Sequence, residues 1–318
     1  MKDVLVSILM PTFNVEKYID EAVESLLCQT YSNIEIIIVD DCSTDNTFLH
    51  LERLASIDSR IKLLKNSENC KIVKSLNKAL SVAKGEFIAR MDGDDISTDD
   101  RIETLLRYLS LHPEYDLVGS YSVAIDSNGY ELARRQLPIT DKWVKRTLRW
   151  CSTIQHIWMA RREVYDLLGG YRDFPGAEDY DFLLRAKKAS FVLGNCPEYL
   201  YKVRLREGNT ESTEGLRRVK TKEFVYNNSL IDDNIANEPI DTKKFLEFIE
   251  LKELEAKKYR EASKLLNKAK HERNNKAAMI KDVLQSAIKS RYMMRYLFEV
   301  SLVRIASQFD RKNESKGI

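Results

Sequence analysis

Three carboxylates fall within four residues at Asp92-Gly93-Asp94-Asp95, and two more stand side by side at Glu178-Asp179. Two acids one residue apart on a turn, with a glycine between them, can both face a hard cation. Mg2+ and Mn2+ take oxygen ligands and keep waters and phosphate oxygens in their shell. A diphosphate leaving group needs such a partner, because charge builds on it as its bond breaks. The same spacing also describes an acidic surface turn. Glu178-Asp179 follows Gly169, Gly170 and Gly176 and opens the helical stretch YDFLLRAKKA. Acids there stabilise a helix N-terminus whatever else they do. A carboxylate within hydrogen-bond reach of a hydroxyl can also take its proton.

Something must bring these groups together. Residues 4–10 and 34–39 are continuous apolar runs bounded by polar residues, which read as buried strands. Residues 61–65 and 86–91 give two further strands. Helical spacing of apolar residues over 15–30, and helices over 44–57 and 75–83, alternate with them. Strand and helix alternating in this way predict right-handed crossovers and a parallel, doubly wound sheet. Ligands of such sheets bind at the carboxyl ends of the strands. Those ends carry Pro11-Thr12-Phe13-Asn14, Asp40-Asp41 and Asp92-Gly93-Asp94-Asp95.

The bulk composition is that of a folded, soluble protein, with 43% hydrophobic and 31% charged residues in 318. A net charge of +2 gives no reason to expect a nucleic-acid partner. The five cysteines are scattered and form no C-x-x-C pair, so neither a disulfide framework nor a zinc site is expected. No apolar run approaches a membrane span or a secretory signal, which leads to the expectation of a cytoplasmic protein. Beyond about residue 215 glycine nearly vanishes and the pattern turns helical. Two amphipathic helices are predicted over 242–270 and 277–309, then a disordered polar tail from Asp310.

The runs VSILMPTFNVEKYIDEAVESLLCQTYSNIEIIIVDDCSTDNT, LNKALSVAKGEFIARMDGDD and GGYRDFPGAEDYDFLLRA occur in the order seen in family 2 of the inverting glycosyltransferases, which this chain resembles over residues 1–212. The resemblance implies a GT-A fold: an α/β, Rossmann-like, mostly parallel central sheet flanked by helices. It places that domain at 1–215 and leaves 216–318 as a C-terminal α-helical extension. The implied activity is a hexosyltransferase that moves a sugar from a UDP-sugar to a hydroxyl of a glycan or glycolipid acceptor, such as a lipid-linked O-antigen or capsule repeat unit. A divalent cation, Mn2+ or Mg2+, would assist a single displacement.

Residue by residue, the resemblance puts Pro11, Thr12, Asn14 and Glu16 against the nucleobase and ribose, and Asp41 on the uracil ring. Helix capping at the start of the 15–30 helix is the competing role for Asn14 and Glu16. Lys74 falls where the family often has a basic residue facing the nucleotide. Asp92 would sit near ribose and metal, and Asp94 would bind the metal directly. Asp179 matches the catalytic base, with Glu178 orienting the acceptor hydroxyl and Asp181 structural. His156 and Trp158 match a position near the acceptor, although a histidine or an indole is equally good core material. The family's Tyr-Arg-x-His segment reads here Tyr201-Lys202-Val203-Arg204-Leu205-Arg206. Arg206 thus replaces a histidine that can approach the metal, and a guanidinium pairs with phosphate instead. Arg204 or Arg206, on a loop 206–210 closing over the nucleotide, is expected to neutralise the diphosphate. The C-terminal helices are expected to pack on the domain, with peripheral contact at the inner face of the cytoplasmic membrane or self-association as the other uses. A catalytically silent sugar-nucleotide-binding scaffold is the alternative to an enzyme.

Overall fold

The computed structural model describes residues 4–206, 215–231, 234–236, 240–271 and 276–314. Its first half follows the alternation seen in the sequence: β1 (Val6–Thr12), α1 (Ile19–Leu27), β2 (Ile34–Asp40), α2 (Thr47–Ile57), β3 (Ile61–Lys65), α3 (Lys71–Val82) and β4 (Phe87–Arg90). β1 pairs in parallel with β2 and β4, and β2 with β3. β2 is buried at every position, because helices cover both faces of a parallel sheet. Pro11 lies inside β1 instead of ending it. β4 pairs with β1 only as far as Leu9, so the missing N–H of Pro11 faces no strand on that side.

The chain continues through β5 (Ile96–Ser97), α4 (Arg101–Leu111), β6 (Leu117–Ile125), β7 (Glu131–Arg135), α5 (Asp141–Thr147), β8 (Met159–Arg161), α6 (Arg162–Leu168), α7 (Glu178–Lys188) and β9 (Leu193–Arg204). Among the described residues the sheet order is β3-β2-β1-β4-β8-β6-β9-β5, with β7 on β6. β8 joins β4 and β6 antiparallel, whereas β6 and β9 form a long parallel pair. The sheet is mixed and mostly parallel, with its longest registers parallel.

Among the described residues five helices follow: α8 (Gly215–Ile231), α9 (Thr242–Ile249), α10 (Glu253–His271), α11 (Lys276–Lys289) and α12 (Arg291–Glu314). The two long helices expected after residue 240 are therefore four. α9 is capped by Asp241, whose side chain accepts from Lys244 N, and ends at Ile249, before Glu250 leaves the helical conformation. Ser290 separates α11 from α12. The tail expected to be disordered from Asp310 is helical to Glu314, and residues 315–318 lie outside the described residues. Phe224 of α8 with Phe245 and Ile249 of α9 enter the same core as Trp158 and Phe182. Burial of each such side chain stabilises the assembly by about 2 kcal/mol.

Candidate active site

β4 delivers the acidic turn to the carboxyl edge of the sheet. A Cβ on Gly93 would sit 2.8 Å from Thr12 Cγ2 and 3.3 Å from Val15 Cγ2, so the turn lies against the β1 loop with room only for glycine. The far side is held by β9. The Tyr201 hydroxyl accepts from Asp92 N at 3.1 Å, and Arg204 N donates to Asp95 Oδ1 at 2.7 Å. The Arg204 side chain donates to Asp94 O at 2.8 Å, to Glu21 Oε2 of α1 at 2.5 Å, and to the carbonyls of Asp126 and Ser127 at 3.3 Å. It is buried over the Tyr18 ring. The expected diphosphate role for Arg204 is corrected here: its donors are spent on framing the turn. Arg206 Nε donates to Asp94 Oδ2 at 2.7 Å. The remainder of the 206–210 loop lies outside the described residues.

Ligand atoms of Asp92, Asp95 and His156 lie within 4.8 Å of one another. This departs from the expected pair, because Asp94 is turned toward Arg206 while Asp95 and His156 converge with Asp92. His156 Nε2 stands 3.0 Å from Asp92 Oδ2, yet out of line for an N–H···O bond. Adjacent ligands of an octahedral ion at about 2.1 Å are separated by about 3.0 Å, so this geometry fits two groups aimed at a shared cation. Charge crowding points the same way. Burial, with Asp94 and Asp92 beside it, pushes the Asp95 carboxyl up to about 8. Burial and the neighbouring Asp92 also raise Asp94, against the pull of Arg206. Burial alone would raise Asp92 as well, but Arg90 and His156 hold it well below the usual range. Burial opposes the charging of His156, and the adjacent Asp92 carboxylate outweighs it, raising the imidazole.

The acidic turn and the start of α7 share one cleft. Arg90, the last residue of β4, is buried and donates to Asp92 Oδ1 and Glu178 Oε1, both at 3.3 Å. Arg101 carries this seam from below, donating to the carbonyls of Arg90 and Ile157 at 2.8 and 2.7 Å. Gly176, at φ +73°, turns the chain into α7. Glu178 is 5% exposed, and its Oε2 has no protein partner among the described residues. Asp179 is half-buried, and its Oδ1 accepts only the neighbouring Tyr180 N at 2.7 Å among the hydrogen bonds described. Asp181 lies between Arg172 and Arg185, with contacts of 2.6 and 2.7 Å, in a buried network. Trp158 is corrected from an acceptor contact to core. It is fully buried, donates from Nε1 to the Tyr165 hydroxyl at 2.9 Å, and stacks on Phe182 and Tyr171.

At the β1 and β2 ends, Asn14 adopts φ +51° and accepts from Thr44 N at 2.8 Å. Glu16 Oε2 accepts from Asn46 N, the residue before α2, at 2.9 Å. Neither caps α1, which begins at Ile19 without a side-chain cap. Thr12 O accepts from Asp41 N at 2.8 Å, which joins the loops after β1 and β2, and Pro11 pairs in register with Val39. Asp41 is buried and accepts from Asn66 Nδ2 at 2.7 Å and from Cys70 N and Lys71 N at 2.8 Å. It therefore caps α3, and a carboxylate with about four lone pairs keeps room for one further partner. Lys74 is exposed one turn further along α3. Arg90 and Tyr201 carry no expected role in the sequence. The visible signal for Arg90 is an arginine ending an otherwise apolar strand, directly before the acidic turn.

Residues 7–169 match the profile described as Glycosyl transferase family 2. An uncharacterized glycosyltransferase of Haemophilus influenzae is 34% identical over 239 residues, covering 70% of this chain and 74% of that protein. The UDP-Glc:alpha-D-GlcNAc-diphosphoundecaprenol beta-1,3-glucosyltransferase WfgD of Escherichia coli is 39% identical over 123 residues, covering 39% and 48%. Among solved structures, residues 1–349 of TarS of S. aureus with UDP-GlcNAc give a TM-score of 0.58 at 18% identity, over 97% of this chain and 92% of that one. A mannosyltransferase of Pyrobaculum calidifontis with GDP-Man and Mn2+ gives 0.60 at 17%, over 92% and 86%.

Proposed function

Because the chain belongs to Glycosyl transferase family 2 and has the GT-A fold of its structural neighbours, we propose that this glycosyltransferase moves a sugar from a UDP-sugar to a hydroxyl of a lipid-linked glycan, with inversion. The observation that carries this reading is the Arg90 bridge, which ties the acidic turn to Glu178, the neighbour of Asp179, in one cleft. Asp179 has a carboxylate oxygen available to take the proton of the acceptor hydroxyl as the acceptor oxygen attacks the anomeric carbon. Glu178 Oε2, buried without a partner, accepts from an acceptor hydroxyl and aligns it. Attack from the face opposite the leaving nucleotide inverts the anomeric centre in one displacement.

Asp92, Asp95 and His156 would hold Mn2+ or Mg2+, with Asp94 steadied by Arg206 at its edge. When bound, the ion neutralises charge developing on the diphosphate. The remaining acceptor capacity of Asp41 suits the imide N–H of uracil, and the Thr12–Asn14 loop, Pro11, Glu16 and Lys74 are the further residues we assign to the nucleotide. Work on a diphospholipid-linked acceptor is supported by the substrate for which the E. coli relative is named, and relatives named for amylovoran and teichuronic acid biosynthesis support a surface polysaccharide as product. We place the transferase domain at 1–215, with the later helices as an extension packed on it. The test is a panel of UDP-sugars assayed for metal-dependent hydrolysis and transfer by the wild type and Asp179→Asn. Activity dependent on metal and on Asp179 is expected. Equal turnover by the two proteins overturns the base assignment.

A further inference from the structure

We propose that the seam between α5 and α12 is the face on which this chain lies against an anionic lipid surface. Two aromatic rungs join α12 to α5 and to the turn that follows it. Trp143 stacks on Phe309 with centroids 6.3 Å apart, and Trp150 meets Phe298 edge-on at 5.1 Å. Each indole also carries an arginine, with the Arg146 guanidinium carbon 5.4 Å from the Trp143 ring and that of Arg149 5.0 Å from the Trp150 ring. The phenylalanines are eleven residues apart on α12, which puts them on one face about 16 Å apart.

Ordinary core packing does not account for these rungs. Phe298 is 49% and Phe309 55% exposed, and both indoles are only half-buried. Charge supplies the complementarity. The only acid of α5, Asp141, pairs with Lys145 at 3.0 Å and accepts from Leu193 N. Arg146 and Arg149 form no ion pair among the described residues, so their cation–π contacts leave their charge uncompensated. Indole edges, exposed phenylalanines and uncompensated guanidinium groups in one layer match the boundary between headgroups and acyl chains, where aromatic rings and cations are both favoured. No helix among the described residues is long and apolar enough to cross a membrane, so lipid contact by these residues is contact with a surface.

The position of the strip deepens the proposed function and rests on it for the acceptor. The hydroxyl of Tyr180, the residue that follows Asp179 in α7, donates to Leu148 O, the residue before Arg149. An acceptor anchored in that surface would present its hydroxyl beside the start of α7.

The chain has three tryptophans, and the third, Trp158, is fully buried, which makes fluorescence a direct readout. Full-length protein is floated with phosphatidylglycerol/phosphatidylcholine vesicles and with phosphatidylcholine alone, with and without brominated acyl chains. Binding to the anionic vesicles with bromine quenching is expected. The Arg146→Ala/Arg149→Ala variant should bind about thirtyfold more weakly, with unchanged UDP-sugar hydrolysis. Phe309→Gln should lower quenching more than flotation. Flotation without quenching, no preference for anionic vesicles, or light scattering showing a dimer that shields both indoles would overturn the proposal. Loss of hydrolysis in wild type would instead sink the catalytic reading and leave the vesicle result standing.

Discussion

Two buried arginine–carboxylate networks meet in the first turns of α7, and they are built to different standards. Asp181 is gripped by Arg172 and Arg185, and Arg185 also donates to the carbonyls of Leu168 and Gly170 at 2.8 Å. One turn earlier, Glu178 has a single longer contact to Arg90 and a second oxygen with no partner. A network whose polar atoms are paired is scaffold, because removing any member strands a buried charge. One that leaves a valence open at similar burial bears a desolvation cost that a ligand can relieve.

The contrast can be broken where the effect should be largest. Asp179→Asn is expected to lower kcat by about 10²–10⁴-fold in steady-state transfer assays, with unfolding temperature and UDP binding unchanged. Asp181→Asn should do the reverse. Stability should fall by about 3–5 kcal/mol in urea titrations, with activity per folded molecule little altered. Metal addition sharpens the point at the acidic turn: Mn2+ at a hundredfold its Kd should stabilise the wild type by about 2.7 kcal/mol in thermal scans. Asp92→Asn should remove that increment. The smallest effect belongs to Glu178→Gln, which should change stability by less than about 0.5–1 kcal/mol yet raise KM for the acceptor.

Much of this was legible beforehand. The expected bounds of the first four strands lie within two residues of those observed, because buried parallel strands are runs of apolar residues bounded by polar turns. Beyond residue 95 the sheet mixes short antiparallel and long parallel strands. β8 has three residues and β5 two, too few for any periodicity to show. At the site, Asp95, for which the motifs imply no part, converges with Asp92 and His156, whereas Asp94, the expected metal ligand, pairs with Arg206. Which of two adjacent carboxylates faces the cleft depends on Arg204 and Arg206, more than a hundred residues away. Trp158 went the other way because an indole suits a sugar face and a core alike, and only the surrounding Tyr165, Tyr171 and Phe182 decide between them.

One contact bears on how the molecule comes into being. Asp310 of α12 is 2% exposed and accepts from Ile139 N at 2.6 Å, and from Thr140 N at 2.8 Å and Thr140 Oγ1 at 2.6 Å, at the start of α5. Those amides leave the ribosome 171 residues ahead of the carboxylate that satisfies them. At about 5–20 residues per second, the strand–helix corner waits for roughly ten to thirty seconds with its donors open to water. Translation halted upstream of this aspartate would release a chain whose sheet is written in full but whose Ile139 and Thr140 amides lack their acceptor.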